Sequence, residues 1–319
     1  MNKKELYREF CQHKSIPFFL NDWWLDAVSE SHKWDVIIHR SGGIITGILP
    51  YILKKKMGLT LITMPKLTPY LGPWIEYPVG QKYATQLSYE KDVYTALIEQ
   101  LPKFDFFKQR LHSSIANWTP FYWKGFKQTT RYTYILDDLE SKDKIWEKFQ
   151  TKIRTDIKKA KDRFKIEIKD DLPTEHLTTL SMKTFQRQGQ SFPYSKALLE
   201  RVFNACARHK RGKAFYAVDP SNNIHAAIYV VWDDRTVYYL LGGTDSKLRQ
   251  SGATSYLIWH AIQFAIASSK AFDFEGSMIE PVERFFRGFG GRLAPYFTIF
   301  KIKSKFLRIL NAWSEKLEI

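Results

Sequence analysis

The stretch Thr236–Gly291, TVYYLLGGTDSKLRQSGATSYLIWHAIQFAIASSKAFDFEGSMIEPVERFFRGFGG, decides the fold. Its first part, Val237 to Asp245, is β-branched and aromatic, so it reads as a strand, and Gly242-Gly243 lets its backbone splay or bulge. A basic turn with a glycine follows, Lys247 to Ala253. Tyr256, Leu257, Trp259, His260, Ile262, Gln263, Phe264 and Ile266 then recur at helical period. Ala271 to Ser277 resumes period two, which places Asp273 and Glu275 on one side of a short strand. Strand, basic glycine turn, helix and carboxylate strand together suit an anionic donor with a base beside it. The first turn of a helix presents unpaired N–H groups, glycine lets a ligand approach them, and the helix dipole favours negative charge there. Arg249 and Gln250 add side-chain donors, while an ordinary αβ connection with a solvated Arg249 fits these residues equally well.

Outward from this stretch, the same order of elements occurs earlier in the chain. Pro17 to Glu30 reads as a helix capped by Asn21 or Asp22. A hairpin follows (Trp34 to Arg40 and Ile44 to Leu53, turning at Ser41-Gly42-Gly43), then a strand Gly58 to Met64. A proline-rich connection leads to a helix over Leu87 to Leu101, a strand Phe104 to Leu111, a short helix near Pro120 and a strand Lys127 to Leu136. The second half has helices at Ser141 to Arg163, Thr174 to Thr184 and Ser195 to His209. A hairpin (Lys213 to Asp219, Ile224 to Asp233), the opening stretch, and a closing strand Leu293 to Lys303 complete it. This repeat predicts two copies of one α/β unit, residues 1–140 and 141–319, with the boundary near Asp137 to Glu140. Where the second copy has its basic glycine turn, the first has Pro65-Lys66-Leu67-Thr68-Pro69. Proline has no N–H to offer an anion, so the first copy is expected to lack a donor phosphate loop and to shape the acceptor side.

Composition narrows the partners. Lys and Arg number 49 against 33 Asp and Glu, a net charge of +16, which favours polyanionic or phosphorylated partners: tRNA, nucleotide-linked substrates, CoA or an anionic membrane surface. Cys11 and Cys206 form no CxxC, the amino-terminal MNKKELYREF has no apolar signal core, and no apolar run is long enough to span a bilayer, so a cytoplasmic location is expected. The eight histidines show no HxxxH or HExxH spacing, so no metal is expected. GxSxG and GxxxxGK[ST] motifs are absent.

Five segments carry a family resemblance: TPYLGPW (Thr68 to Trp74), NWTPFYWKGFKQTTRYTYILDDL (Asn117 to Leu139), TKIRTDIKKAKDRFKIEI (Thr151 to Ile168), TFQRQG (Thr184 to Gly189), and FDFEGSM with VERFFRGFGG (Phe272 to Gly291). They resemble the FemAB-like, peptidoglycan bridge-forming branch of the GNAT acyltransferase superfamily, over roughly Leu20 to Phe300. The resemblance implies an α/β (α+β) fold of two tandem GNAT-like domains, each a mixed sheet flanked by helices. It also implies transfer of acyl or aminoacyl groups to amines, the best-known members taking amino acids from aminoacyl-tRNA to a cell-wall precursor. Arg249 and Gly252 match the Gln/Arg-x-x-Gly-x-Gly/Ala signature of GNAT enzymes, and Thr254 departs from its last position. Phe286-Arg287, with Arg284 a turn earlier, matches the family's aromatic-basic pair, and Arg187 matches a basic position facing the cleft.

The expected site follows. Glu275 accepts a proton from the acceptor amine, Asp273 stands beside it, and Ser277 or a backbone N–H binds the carbonyl oxygen. Arg284, Phe286, Arg287, Arg187, Arg249 and Gly252 bind donor or acceptor. Acyl-CoA or aminoacyl-tRNA is the co-substrate and no tightly bound cofactor is expected. The acceptor is a small-molecule or nucleotide- or lipid-linked amine that attacks in a cleft between the domains. The basic helix Lys152 to Arg163 is expected to be amphipathic and to face tRNA or a nucleotide. At the C-terminus, Phe306, Leu310, Trp313 and Leu317 form a stripe beside Lys301, Lys303, Lys305 and Arg308, which packs on the domain or docks on a membrane surface. The competing class is a basic nucleic-acid-binding protein without catalysis, in which the paired carboxylates have no job.

Overall fold

The computed structural model describes residues 2–308 other than Ser31, Asp138, Glu140 and Ser269. The chain forms two compact units, Met1–Arg131 with Pro295–Ile319, and Tyr132–Ala294. No helix among the described residues is long and apolar enough to cross a membrane.

Ahead of the first helix expected from the sequence, unit 1 opens with α1 (Lys3–His13). Its start is a capping box, the Asn2 side chain accepting the Glu5 N–H and the Glu5 carboxylate accepting the Asn2 N–H. The helix expected from Pro17 is instead a 3-10 turn, Phe18–Leu20, and α2 (Asp22–Val28). Asn21 separates them, because its backbone is extended and its side-chain amide donates to the Phe18 carbonyl at 2.9 Å. The hairpin of β1 (Lys33–Ser41) and β2 (Ile44–Lys56) has the anticipated turn, and β3 (Leu59–Thr63) extends it antiparallel. The two-residue β4 (Trp74–Ile75) pairs with β2. Then come α3 (Tyr83–Glu99), β5 (Phe106–Arg110), parallel to β3, and α4 (Thr119–Trp123).

The chain enters unit 2 along β6 (Lys127–Leu136), whose bounds are those expected. The single expected helix from Ser141 to Arg163 is two, α5 (Lys142–Lys148) and α6 (Thr151–Asp162). The break lies at Phe149 and Gln150: Phe149 is buried against Trp259 and Phe289, and the Gln150 N–H donates to the Gly288 carbonyl at 2.8 Å. The remaining order is β7 (Glu167–Lys169), α7 (Thr174–Arg187), α8 (Lys196–Arg208), β8 (Gly212–Val218), β9 (Ile224–Trp232), β10 (Thr236–Thr244), α9 (Ala253–Ala267), β11 (Ala271–Asp273), α10 (Glu280–Arg287) and β12 (Arg292–Ile302).

The strands of unit 2 lie in the order β6-β11-β10-β9-β8-β7 and those of unit 1 in the order β1-β2-β3-β5-β12. The strand that closes each sheet comes from the other half of the chain. β12 pairs with β5 through Thr298↔Arg110 to Ile302↔Phe106, and β6 pairs with β11 through Leu136↔Phe272 and Ile135↔Asp273. The units therefore differ from the expected 1–140 and 141–319, since the ladder to β5 holds the segment from Pro295 in unit 1.

In unit 2, α9 is apolar on nearly every side because it is covered on nearly every side. Leu257, Ile258, Ala261, Ile262 and Ala265 join one core with Ile153, Ile157 and Ala160 of α6 and with Phe215, Ile228, Val230 and Val237 of the sheet. On the other face α8 sets Phe203 against Tyr229, with ring centroids 4.4 Å apart. Gly243 receives α7 there, and a Cβ at that position would lie 2.3 Å from the Leu180 carbonyl carbon.

Candidate active site

β10 and β11 run parallel only over Thr236–Tyr238 and Ala271–Asp273. Beyond that point β10 continues along β9 to Thr244↔Ala226, while the chain after Asp273 turns away. β10 also bulges where the strands part: its register on β9 steps from Tyr239↔Val230 to Leu241↔Tyr229, so Leu240 is the extra residue. Gly242 makes room beside the bulge, since a Cβ there would lie 1.8 Å from the Tyr239 hydroxyl oxygen. The Gly-Gly pair thus serves both faces, Gly242 for Tyr239 and Gly243 for α7.

The expected period-two strand through Ser277 is not what forms. Phe272, Asp273 and Phe274 are all buried and β11 ends at Asp273. Asp273 Oδ1 accepts the Thr133 hydroxyl at 2.5 Å and the Glu275 N–H at 2.8 Å. The second bond bends the chain, so Glu275 (φ 61°) and Gly276 (φ 60°) both take left-handed backbone. For glutamate that conformation costs on the order of 1 kcal/mol or more. Gly276 is required, because a Cβ there would meet the Tyr132 carbonyl oxygen at 2.1 Å. Asp273 and Glu275 therefore do not share a face: the first is a buried anchor, and the second is the half-buried residue it positions. Burial pushes the Asp273 carboxyl up to about 6, against the pull of its two hydrogen bonds.

The neighbourhood of Glu275 is completed from β6 and α10. The Phe274 N–H donates to the Tyr134 carbonyl at 3.0 Å. The Tyr134 hydroxyl donates to Glu283 Oε1, and Arg287 Nε stands 3.3 Å from the same oxygen. Burial, and then the hydrogen bond to Glu283, raise the Tyr134 hydroxyl to about 12. Ser277 Oγ accepts the Ile279 N–H at 3.1 Å, which shapes the entry to α10. Thr133, Tyr134 and Glu283 were not anticipated. Glu283 has a local signal, its spacing of four from Arg287; the two β6 residues have none, because their partners are more than a hundred residues away.

The binding residues are distributed unequally. Arg287 belongs to this neighbourhood through Glu283, and Arg284, exposed, stands 3.6 Å from Glu280. Phe286 is a core side chain, 6% exposed and packed on Phe274 and Tyr239, because α10 turns it inward between its arginines. Arg187 is exposed at the end of α7, a turn beyond Thr184, whose hydroxyl accepts the Thr244 N–H at 3.0 Å and so ties α7 to the end of β10.

Arg249 is exposed in a 3-10 turn, and Gly252, at φ 80°, precedes α9 and gives it no side-chain cap. Gly252 is fixed by α6, since a Cβ there would meet the Asp156 carbonyl oxygen at 2.1 Å. Thr254, which departs from the signature, places its hydroxyl 2.9 Å from that of Thr244 and ties α9 to β10. Ser251 Oγ accepts the Ala253 N–H at 3.3 Å, and the rest of this helix start, beside an exposed arginine and the lysines of α6, fits an anionic donor.

Residues 147–279 match the acetyltransferase (GNAT) domain family. Unit 2 carries a GNAT domain. Over the whole chain the fold is similar to that of FemX, which superposes with a TM-score of 0.68, at 13% identity and with 99% of each chain covered. A conserved protein of unknown function from Bacteroides thetaiotaomicron follows at 0.57 and 11% identity, covering 93% of this chain and 97% of that one. L-PGS from Bacillus licheniformis gives 0.54 at 10% identity, covering 97% and 95%. No curated protein matches in sequence. The GNAT domain begins within α5 and ends just before α10, so it spans α6, the parting of β10 and β11, the start of α9, and Glu275.

Proposed function

We propose that the chain transfers an activated acyl group onto an amine by direct attack, with the chemistry at the GNAT domain's parted strands. The observation that carries this reading is the parting of β10 and β11 onto a left-handed Glu275 held by the buried Asp273. A strained, anchored carboxylate at an opening between strands is the kind of position at which a base is fixed. The donor's phosphates lie against the start of α9 and Arg249. Its acyl group reaches along β10 toward Glu275. The amine nitrogen bonds to the acyl carbon and gives its proton to the Glu275 carboxylate, directly or through water. The bond from that carbon to the leaving sulfur or oxygen breaks, and the leaving group takes up a proton. In this reading a backbone N–H beside the Leu240 bulge donates to the carbonyl oxygen, a contribution typically worth ~2.7–4 kcal/mol.

Direct attack is supported by the state of the thiols. Burial pushes both Cys11 and Cys206 up to about 12, so neither supplies a thiolate for an acyl-enzyme. The GNAT domain favours an acyl-CoA donor. A second donor, aminoacyl-tRNA, is favoured by α6, where Lys152, Lys158 and Lys161 are exposed. The acceptor is a small-molecule, nucleotide-linked or lipid-linked amine. Thermal shift against CoA esters, aminoacyl-tRNAs, nucleotide-linked muropeptides and bulk RNA tests the reading. Protection by a CoA ester or a charged tRNA, with acyl transfer to an amine seen by mass spectrometry, is expected. Protection by bulk RNA alone, with no transfer, would overturn it in favour of a nucleic-acid-binding protein.

A further inference from the structure

Unit 1 carries an aromatic and cationic surface that the transfer reaction does not use. Tyr122 (61% exposed) and Trp123 (59%) stand out from the end of α4, and Phe306 (58%) follows β12. Cations gather beside them. Lys301 Nζ donates to the Lys124 carbonyl and lies 5.0 Å from the centre of the Phe126 ring. Lys303 Nζ lies 4.2 Å from that of Phe104, and Arg308 Nε donates to the Ile302 carbonyl at 2.9 Å. Lys301 is held below the ordinary lysine range by burial and then by Lys303, Arg308 and Lys124. The carboxylates nearby are engaged: Glu99 pairs with Lys124 at 2.5 Å, and Asp105 Oδ2 accepts the Thr60 N–H at 2.8 Å.

Lys303 and Arg308 are exposed and repel Lys301, and Tyr122 and Trp123 expose more ring than packing on unit 1 requires, so the pairing of these two chemistries points outward. We infer that this surface docks the protein on an anionic lipid headgroup layer. Tyr and Trp rings suit the headgroup level, where one end is wet and the other apolar, and exposed Phe306 adds apolar area to insert. Each basic residue near an anionic leaflet contributes about 1 kcal/mol, roughly a fivefold gain in partitioning. A nucleic acid fits less well, because Lys301 is committed to a carbonyl and Lys124 to Glu99, leaving few free donors to follow a phosphodiester backbone. The inference concerns the first unit alone and stands whether or not the acyl-transfer reading does. Its sequence signal was the C-terminal stripe, whose Leu310, Trp313 and Leu317 lie outside the described residues.

The test is co-sedimentation of the full chain with phosphatidylcholine vesicles, with and without phosphatidylglycerol, and with tRNA as a parallel arm. Binding to the anionic vesicles, little binding to phosphatidylcholine alone, and release by high salt are expected. Tyr122→Ser with Trp123→Ser, and separately Lys303→Glu with Arg308→Glu, should each weaken anionic binding roughly tenfold or more. Thermal melts check the fold, and if a double variant melts early, Trp123→Ser alone decides. Three results would overturn the inference: no binding to anionic vesicles, equal binding to neutral ones, or folded variants that lose tRNA binding and keep vesicle binding.

Discussion

The two units build the same device and finish it differently. In each, an antiparallel hairpin leads to a strand that pairs in parallel with the next across a helical crossover: β3 with β5 over Leu61↔Phe106 and Ile62↔Phe107, and β10 with β11 over three residue pairs. In unit 1 the chain after β3 packs against the end of β5 and then pairs as β4 with β2. The Leu71 N–H donates to the Arg110 carbonyl at 2.8 Å, and Gly72 sits so close to Leu111 that a Cβ would lie 2.7 Å from its Cδ2. In unit 2 the chain after β10 goes on through a 3-10 turn to the start of α9, and the far side of the opening is the left-handed Glu275. One copy of the motif is filled by its own backbone and the other ends on a carboxylate. A shared topology therefore does not make a shared site; the connection after the parallel pair does.

Substitutions of the same residue types in the two units sharpen this contrast. The largest effect is expected at the carboxylates. Glu275→Gln should lower turnover about 10²–10⁴-fold and flatten the acid limb of the pH profile, with little change in melting. Glu90→Gln in unit 1 should leave turnover unchanged and cost about 1–3 kcal/mol of stability, because Glu90 accepts from Tyr77 at one oxygen and from Asn117 at the other, each at 2.8 Å, and the amide sets an NH2 donor in place of one of those acceptors. Equal turnover in the two variants would break the distinction. Next come the glycines. Gly243→Ala drives a methyl into the α7 backbone and should cost on the order of 3 kcal/mol in chemical denaturation. Gly58→Ala, at φ +75° with nothing within 4 Å, should cost about 1 kcal/mol.

Asp273 supplies a pH test. Its folded carboxyl, at about 6, lies above the ordinary aspartate value, so the wild type keeps the full stability of the protonated group only below that value and loses it as pH rises through 6. Asp273→Asn retains the accepting Oδ1. It should therefore gain roughly 2 kcal/mol on the wild type between about pH 4 and pH 7, read as the difference in melting. A constant difference across that range would mean Asp273 is not a buried titrating anchor. The smallest effect is Tyr134→Phe, which removes a donor to Glu283 and should cost about 1 kcal/mol.

Local pattern was legible in the sequence where local forces decide the outcome. The hairpins, β6, and α10 with proline in its first turn follow from propensity, period and turn chemistry. The start of α1 has an equally local signal, the capping pair Asn2 and Glu5. What was hidden depends on distant partners. The alternation Asp273, Glu275 looked like one face of a strand, and only the hydrogen bond from Glu275 back to Asp273 ends that strand. The exchange of closing strands depends on β12 finding β5, which no window of sequence contains. Phe286 between two arginines gives no local sign of facing Phe274 and Tyr239 rather than a ligand.

The central claim is that the opening in unit 2 receives the donor and its counterpart in unit 1 does not. Hydrogen exchange with whichever CoA ester or aminoacyl-tRNA raises the melting temperature tests it most directly. The account predicts slowed exchange at residues 239–244, 253–257 and 274–279, with 59–73 unchanged. Protection at 59–73, with the unit 2 segments unaffected, would contradict it.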